Sequence, residues 1–432
     1  MLVFQACSPA KQLSSSVYQS FLNDSAFEQA HVGVAVFDAT ERKWLLQQNS
    51  RKYFVPASNI KLPTLYAGLK YLGDSLVSFY YQSVNDTIHL LANGDPSFLH
   101  PDFAVHPSFE FLKQQKVPVV LHSSNWKTEP LGYGWSWSDY LSAYAAERSP
   151  LPVYGNVVTW YQERLVEQRG LQTDTTLMLL TDPEVQWEVK FSTEPSTRFR
   201  VVRPQSSNYY TIEPGTAMKD SLEVPFVTDG FRATLDFLKD TLYKELMQTD
   251  EPFRYSRAQA VSSHPADSLF KIMMHRSDNF FAEQVLLMVS NQLLGSMDEQ
   301  RLIDTLLKTT LSGFPQQPRW VDGSGLSRYN LFSPEDFVWL LAKLKDEFSL
   351  ERIKAILPSG NKGTLRNYYV EEGTLIAAKT GTLSGCVALS GYLMSDKGHL
   401  LLFSVLVNNH NRSAASIRRA VERLLKEVKR KN

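Results

Sequence analysis

The sequence predicts an α/β protein: one discontinuous domain, an antiparallel sheet flanked by helices, interrupted by a mostly-β insert. Three observations carry that prediction. The chain has 432 residues, more than a single hydrophobic core usually holds. Its two ends share long apolar helices and strands, while residues 74 to 255 run in short alternating stretches. The chain closes strand, strand, helix, which joins to the helix and strands of its opening. The domain is therefore placed at 12–73 and 256–432, with the insert at 74–255.

Each element has its reason. Residues 13 to 30 read as a helix, with Val17, Phe21 and Phe27 among its apolar positions. His31 to Asp38 is an apolar run ending in a turn, and Lys43 to Gln47 can be its hairpin partner. Pro56-Ala57-Ser58 opens an apolar stretch, Leu62 to Leu72, with Gly73 as its stop. Pro63 interrupts it early and predicts a kink or an irregular first turn. Strands are expected at Thr87 to Leu91, Val117 to Leu121, Thr176 to Leu180, Trp187 to Phe191 and Phe199 to Val202, with a helix near Phe231 to Met247. Turn signals such as Asn93-Gly94-Asp95-Pro96 and Glu213-Pro214-Gly215 separate them. Helical texture returns with Asp267 capping Ser268 to His275, then a helix from Ser277-Asp278-Asn279 to Leu294, then Gln300 to Thr310 and Pro334 to Glu347. The close reads Thr374 to Lys379, Val387 to Met394, Leu400 to Asn408 and a helix Ala414 to Val428.

Composition excludes several classes. Lys plus Arg and Asp plus Glu number 45 each, which argues against a broad nucleic-acid surface. No stretch approaches about 18 uninterrupted apolar residues, so no segment reads as a spanning helix. Two cysteines, Cys7 and Cys386, build no disulfide scaffold, and the nine histidines show no metal-binding spacing. No metal or cofactor is expected. Met1 to Ser8 is a short apolar run ending in a small residue and Cys7, similar to the tail of a lipoprotein signal. It is too short for a full apolar core and lacks a basic start. It points to a lipid anchor on Cys7, against the plainer reading of a free thiol.

Three motifs occur in order: Ser58-Asn59-Ile60-Lys61, Ser277-Asp278-Asn279 and Lys379-Thr380-Gly381. The first pattern is uninformative alone, because S-x-x-K also starts at Ser8, Ser124, Ser268 and Ser359. S-x-N recurs, for example at Ser123 and Ser206, whereas K-T-G occurs once. Context selects among them. Only Ser58 opens an apolar helix after Pro-Ala, Ser277 falls between two helices, and Lys379 ends a strand run.

The residue types fit nucleophilic catalysis. A serine hydroxyl needs a base to take its proton. At i and i+3 on a helix, Ser58 and Lys61 share a face. A lysine acts as a base when its pKa falls, and burial beside a second cation, Lys379, lowers it. Ser277 can relay a proton to a leaving amine, and Asn279 can hold Lys61 and a substrate amide. Lys379, with the Thr380 and Thr382 hydroxyls, offers charge and hydrogen bonds to a carboxylate. Backbone N–H groups of Ser58 and Thr382 can form an oxyanion hole, worth about 3–4 kcal/mol per donor. Singly, each residue has a plain alternative: Ser58 an N-cap, Asn279 a helix-start residue, Lys379 a solvated edge lysine.

Together the trio is that of penicillin-binding proteins and class A β-lactamases. From about Val32 onward the chain resembles the D-alanyl-D-alanine carboxypeptidase/endopeptidase family of penicillin-binding protein 4 type, serine peptidase family S13. The resemblance includes Asn93 to Pro96, Trp135 to Asn156, Asp322-Gly323-Ser324-Gly325-Leu326-Ser327-Arg328, Leu357-Pro358 with Gly363-Thr364-Leu365, and Ser390-Gly391-Tyr392. The first two motifs lie 219 residues apart, room for the inserted domains of that family. The departure is Pro63, where a freely helical residue is more usual.

The resemblance implies a penicillin-binding, DD-peptidase/β-lactamase-like fold and an acyl-enzyme reaction on peptidoglycan stem peptides, inhibited by β-lactams. It implies Thr380, Gly381 and Thr382 as substrate contacts. It also implies a clamp for the free end of a diaminopimelate side chain, at Asp139, Tyr144, Leu326, Arg328 and Leu383. Asp139 suits an ammonium and Arg328 a carboxylate. The expected location is the periplasm or cell envelope; the oligomeric state is left open. Two rivals remain: a serine β-lactamase, for which no Glu-x-x-x-Asn string stands between the first two motifs, and a non-catalytic sensor of wall peptides or penicillin.

Overall fold

Apolar runs from both ends of the chain pair into one sheet. The computed structural model describes Phe21 and residues 23–169, 172–194, 196–244 and 246–432. These fall into two units. The first comprises the chain up to Lys70, Asp267–Ala282 and Gln300–Asn432; the second comprises Tyr71–Ala266 and Glu283–Glu299.

The first unit holds His31–Asp38 (β1), Lys43–Gln48 (β2), Ile376–Leu383 (β3), Cys386–Met394 (β4) and Leu400–Asn408 (β5). Their order is β3-β4-β5-β1-β2, with every neighbouring pair antiparallel. Val34 lies opposite Val405, and Lys379 opposite Ser390. Successive side chains alternate between faces. Val387, Leu389 and Leu393 of β4 pack in a core with Ile417, Val421, Leu424 and Val428 of the final helix, Ala414–Lys431. Tyr392 turns to the other face and donates to Leu341 O of helix Pro334–Glu347 at 2.8 Å. Each large side chain so buried stabilises by about 1.5–3 kcal/mol. Both helices start as their sequences direct: Ser333 and Asp336 form a capping box, and Ser413 accepts from Ser416 N.

The second unit contains a five-stranded sheet in the order Leu246–Thr249, Val119–His122, Thr87–Ala92, Ser75–Val84 and Gln259–Pro265, and two three-stranded sheets. Strand Gln259–Pro265 pairs with Ser75–Val84, so the chain beyond 255 still builds this unit.

Several elements differ from their expectation. The helix foreseen to Met247 is Arg232–Leu242, ended by Tyr243 at φ +51°, and Met247 lies in a strand. The longest strand, Val157–Arg169, carries charges and glutamines that hide it from an apolar count. Asp267 sits inside helix Ala266–Ile272, held by Arg352 at 2.9 Å, and does not cap it. Of the opening helix, residues 13–20 lie outside the described residues; Ser25–Phe27 is a 3-10 turn capped by Asp24. Cys7 also lies outside them. Pro63 is the third residue of helix Lys61–Tyr71. There its missing N–H costs no bond within the helix, and the irregularity falls in the preceding 3-10 turn, Ala57–Ile60. Among the described residues no helix is long and apolar enough to cross a membrane.

Candidate active site

The turn Ala57–Ile60 delivers Ser58, half-buried, immediately before helix Lys61–Tyr71. Ala57 adopts φ +47°, a conformation that ordinary residues avoid and that clusters at functional sites. Lys61, one turn on, is fully buried. Its Nζ donates to Ser58 Oγ at 3.0 Å, to Asn279 Oδ1 at 2.7 Å and to Ser324 O at 2.8 Å. An amine withdrawn from water needs such acceptors.

The Asp322–Arg328 string braces this turn. The buried Asp322 carboxylate accepts from Gly325 N at 2.9 Å, Ser327 N at 2.7 Å and Asn330 Nδ2 at 2.7 Å. Gly325 stands at φ +83°, and a Cβ there would lie 1.9 Å from Ala57 O. Only glycine lets this backbone press against the serine turn.

Ser277 closes the π-helical turn Met273–Ser277 at φ +62°. Asp278 then caps the next helix, accepting from Phe281 N at 2.9 Å. Lys379 of β3 donates from Nζ to Ser277 Oγ and to Thr380 O, both at 2.8 Å. Lys379 is fully buried. Burial, helped by the charges of Lys61 and Arg418, pulls its ammonium well below the ordinary lysine range. At Gly381 a Cβ would meet Pro56 O at 2.8 Å and Ser58 N at 3.1 Å, so β3 lies backbone to backbone on the serine turn. Thr382, exposed on the same strand, accepts from Arg418 Nη2 at 2.6 Å.

Thus Ser58, Lys61, Ser277, Asn279, Lys379, Thr380, Gly381 and Thr382 all belong to the first unit, linked by these contacts. Leu326, Arg328 and Leu383 belong to it too. Arg328 donates from Nη2 to Ser384 O at 3.0 Å and is exposed, while Leu326 is buried. Asp139 and Tyr144 belong to the second unit, in the 3-10 turns Trp137–Asp139 and Ala143–Ala145. Sequence reasoning missed the roles of the Ser324 carbonyl, Gly325 and Arg418. The glycine-containing string was the signal for the first two. Arg418 had none, since its helix is rich in basic residues. Among the described residues no three His, Cys, Asp or Glu gather as a metal site.

The chemical capacity is acyl transfer: a hydroxyl bonded to a buried amine, a second hydroxyl bonded to a second buried amine, and a strand of hydroxyls beside them. Fold and site together define a serine hydrolase of the penicillin-binding class. The model of the D-Ala-D-Ala carboxypeptidase 3 (S13) family matches residues 14–428, and the chain belongs to that family. A D-alanyl-D-alanine carboxypeptidase of Actinomadura sp. (strain R39) is 26% identical over 438 residues, spanning 91% of this chain and 80% of the relative. The D-alanyl-D-alanine carboxypeptidase DacB of Haemophilus influenzae is 28% identical over 177 residues, 37% of this chain and 36% of that one. The fold matches the crystal structure of penicillin binding protein 4 from Haemophilus influenzae, with a TM-score of 0.75 at 20% identity, over 97% of this chain and 100% of that one. A predatory peptidoglycan endopeptidase from Bdellovibrio bacteriovorus shares the fold at a TM-score of 0.52 and 11% identity, over 94% of each chain. By family the protein is a serine-type D-Ala-D-Ala carboxypeptidase.

Proposed function

We propose that Ser58 is the nucleophile of this DD-peptidase and Lys61 its base. The observation that carries the proposal is the 3.0 Å hydrogen bond from Lys61 Nζ to Ser58 Oγ, with Lys61 fixed by Asn279 and Ser324. Lys61 Nζ is the buried amine within hydrogen-bond reach of Ser58 Oγ, and so the group placed to accept the serine proton. Ser58 Oγ attacks the carbonyl of the penultimate D-alanine. The oxyanion takes hydrogen bonds from the N–H groups of Ser58 and Thr382. Ser277, bonded to Lys379, passes its proton to the departing amine as the C–N bond breaks and takes the serine's proton from Lys61, which leaves Lys61 neutral again. Water then attacks the ester and gives a proton to Lys61, which hands it to Ser58 Oγ as the ester C–O bond breaks. Lys379, Thr380 and Thr382 hold the substrate's terminal carboxylate, and Gly381 lets the strand approach.

The substrate class is peptidoglycan stem peptides, with β-lactams acylating the same serine. When the leaving amine belongs to a cross-linked strand, the same chemistry is endopeptidase chemistry. Arg328, with Leu326 and Leu383, is proposed to meet the carboxylate of a diaminopimelate side chain. The roles of Asp139 and Tyr144 rest on the resemblance and are tested by substitution. The working place is the cell envelope, with the periplasm and a lipid anchor on Cys7 as the finer proposals. Release of D-alanine from diacetyl-Lys-D-Ala-D-Ala tests the reading. The wild type should release it and Ser58→Ala should not; a folded wild type that releases none favours a non-catalytic sensor of wall peptides or penicillin.

A further inference from the structure

The final helix carries four arginines, and one behaves unlike the rest. Arg419 pairs with Glu422 at 2.6 Å, Arg430 with Glu427 at 2.8 Å, and Arg423 with Asp24. Arg418 has no carboxylate partner among the described residues. Its Nη2 donates to Thr382 Oγ1 at 2.6 Å. Its Nε is shut away from solvent and meets no acceptor. Its neighbours Ile417 and Val421 are buried in the core, so the side chain springs from a fixed base.

Donor chemistry then dictates the hydroxyl's direction. A guanidinium has only donors, so Thr382 Oγ1 must accept from it. The hydroxyl proton of Thr382 is left to be given to something else, and Thr382 is exposed. Lys379 has no carboxylate partner among the described residues either; its bonds run to Ser277 and Thr380. The charge of Arg418 also reaches Lys379. A guanidinium and a buried amine, neither with a carboxylate partner among the described residues, stand beside an oriented hydroxyl and form a receptor for one carboxylate.

We infer that Arg418 is a positioning residue for the substrate's terminal carboxylate: it fixes Thr382 as a donor to that group and so strengthens the preference for a free acid over a carboxamide. The inference rests on the DD-peptidase reading above and deepens it. The enzyme then prefers C-terminal D-alanine over D-alaninamide. It also prefers a cross-link whose leaving residue keeps its carboxylate over one in which that group is amidated.

The test compares diacetyl-Lys-D-Ala-D-Ala with its C-terminal carboxamide in wild type, Arg418→Gln, Arg418→Lys, Thr382→Val and the Arg418→Gln/Thr382→Val double variant. Arg418→Gln should raise KM for the acid about tenfold, with kcat nearly unchanged and the carboxamide unaffected. Arg418→Lys should fall between, and it serves in place of Arg418→Gln if that variant folds poorly. In the Thr382→Val background, Arg418→Gln should add little. Equal losses on both substrates, or a full effect persisting without the Thr382 hydroxyl, would overturn the inference. An active wild type with an unmoved acid-to-amide ratio sinks this inference alone. A wild type that neither releases D-alanine nor takes penicillin on Ser58 sinks the underlying reading as well.

Discussion

The two units bury cations in different company. In the second, Arg148 is 1% exposed and meets Glu299 at 3.0 Å and Glu283 at 3.4 Å. It also donates to Glu129 O at 2.7 Å. In the first, Lys379 is equally buried, yet its bonds run to a hydroxyl and a carbonyl. Arg148 is compensated in the resting fold and serves the fold. Lys379 has no carboxylate partner among the described residues, so its ammonium is disfavoured in the resting fold and would be matched by an anionic ligand.

Substitution of the buried cations separates the two kinds most sharply. Lys61→Met should lower kcat/KM at least about a thousandfold, while the protein still unfolds cooperatively near the wild-type temperature. A variant that keeps its activity breaks the assignment of the base. Arg148→Met should instead cost about 3–5 kcal/mol of stability, because Glu283 and Glu299 are left without their partner. Urea unfolding measures it, and a loss below about 1 kcal/mol would make the two cations alike.

Glycines extend the contrast. Gly325→Ala places a Cβ 1.9 Å from Ala57 O at φ +83° and should cost more than the roughly 1–3 kcal/mol of backbone strain alone, with acylation by penicillin slowed. Gly230, in the second unit, stands at φ +66° with nothing within 4 Å. Gly230→Ala should cost about 1 kcal/mol and leave acylation untouched. Equal effects at the two positions would deny that the serine turn is specially braced.

The smallest effect is a pH dependence. The Lys379 ammonium is disfavoured in the folded state, so the unfolded chain binds the extra proton more readily. That costs stability below the folded pKa. The cost is relieved as pH rises from the folded pKa toward the unfolded value of 10.5. Stability of the wild type relative to Lys379→Met should therefore rise with pH over that window. A difference that is flat or falling with pH contradicts the burial of a disfavoured charge.

Legibility in the sequence followed burial. His31–Asp38, Pro334–Glu347 and Leu400–Asn408 were read at their full extents, because nearly unbroken apolar runs or a Ser-Pro cap mark them. Strand Lys219–Pro225, exposed over five of its seven residues, and Gln259–Pro265 carry no apolar period, and neither was foreseen. The site was legible where its groups share local spacing, as with Ser58 and Lys61, or a motif, as with Lys379 to Gly381. It was illegible where a backbone atom acts, as Ser324 O does, or where one arginine among several on a helix is singled out only by what it faces.

Penicillin-treated protein, digested and mapped by mass spectrometry, tests the central claim most directly. The account predicts the added penicilloyl mass on the peptide that contains Ser58, and none in Ser58→Ala. Adduct on a peptide carrying Ser124, Ser268 or Ser359, or undiminished labelling of Ser58→Ala, would contradict it.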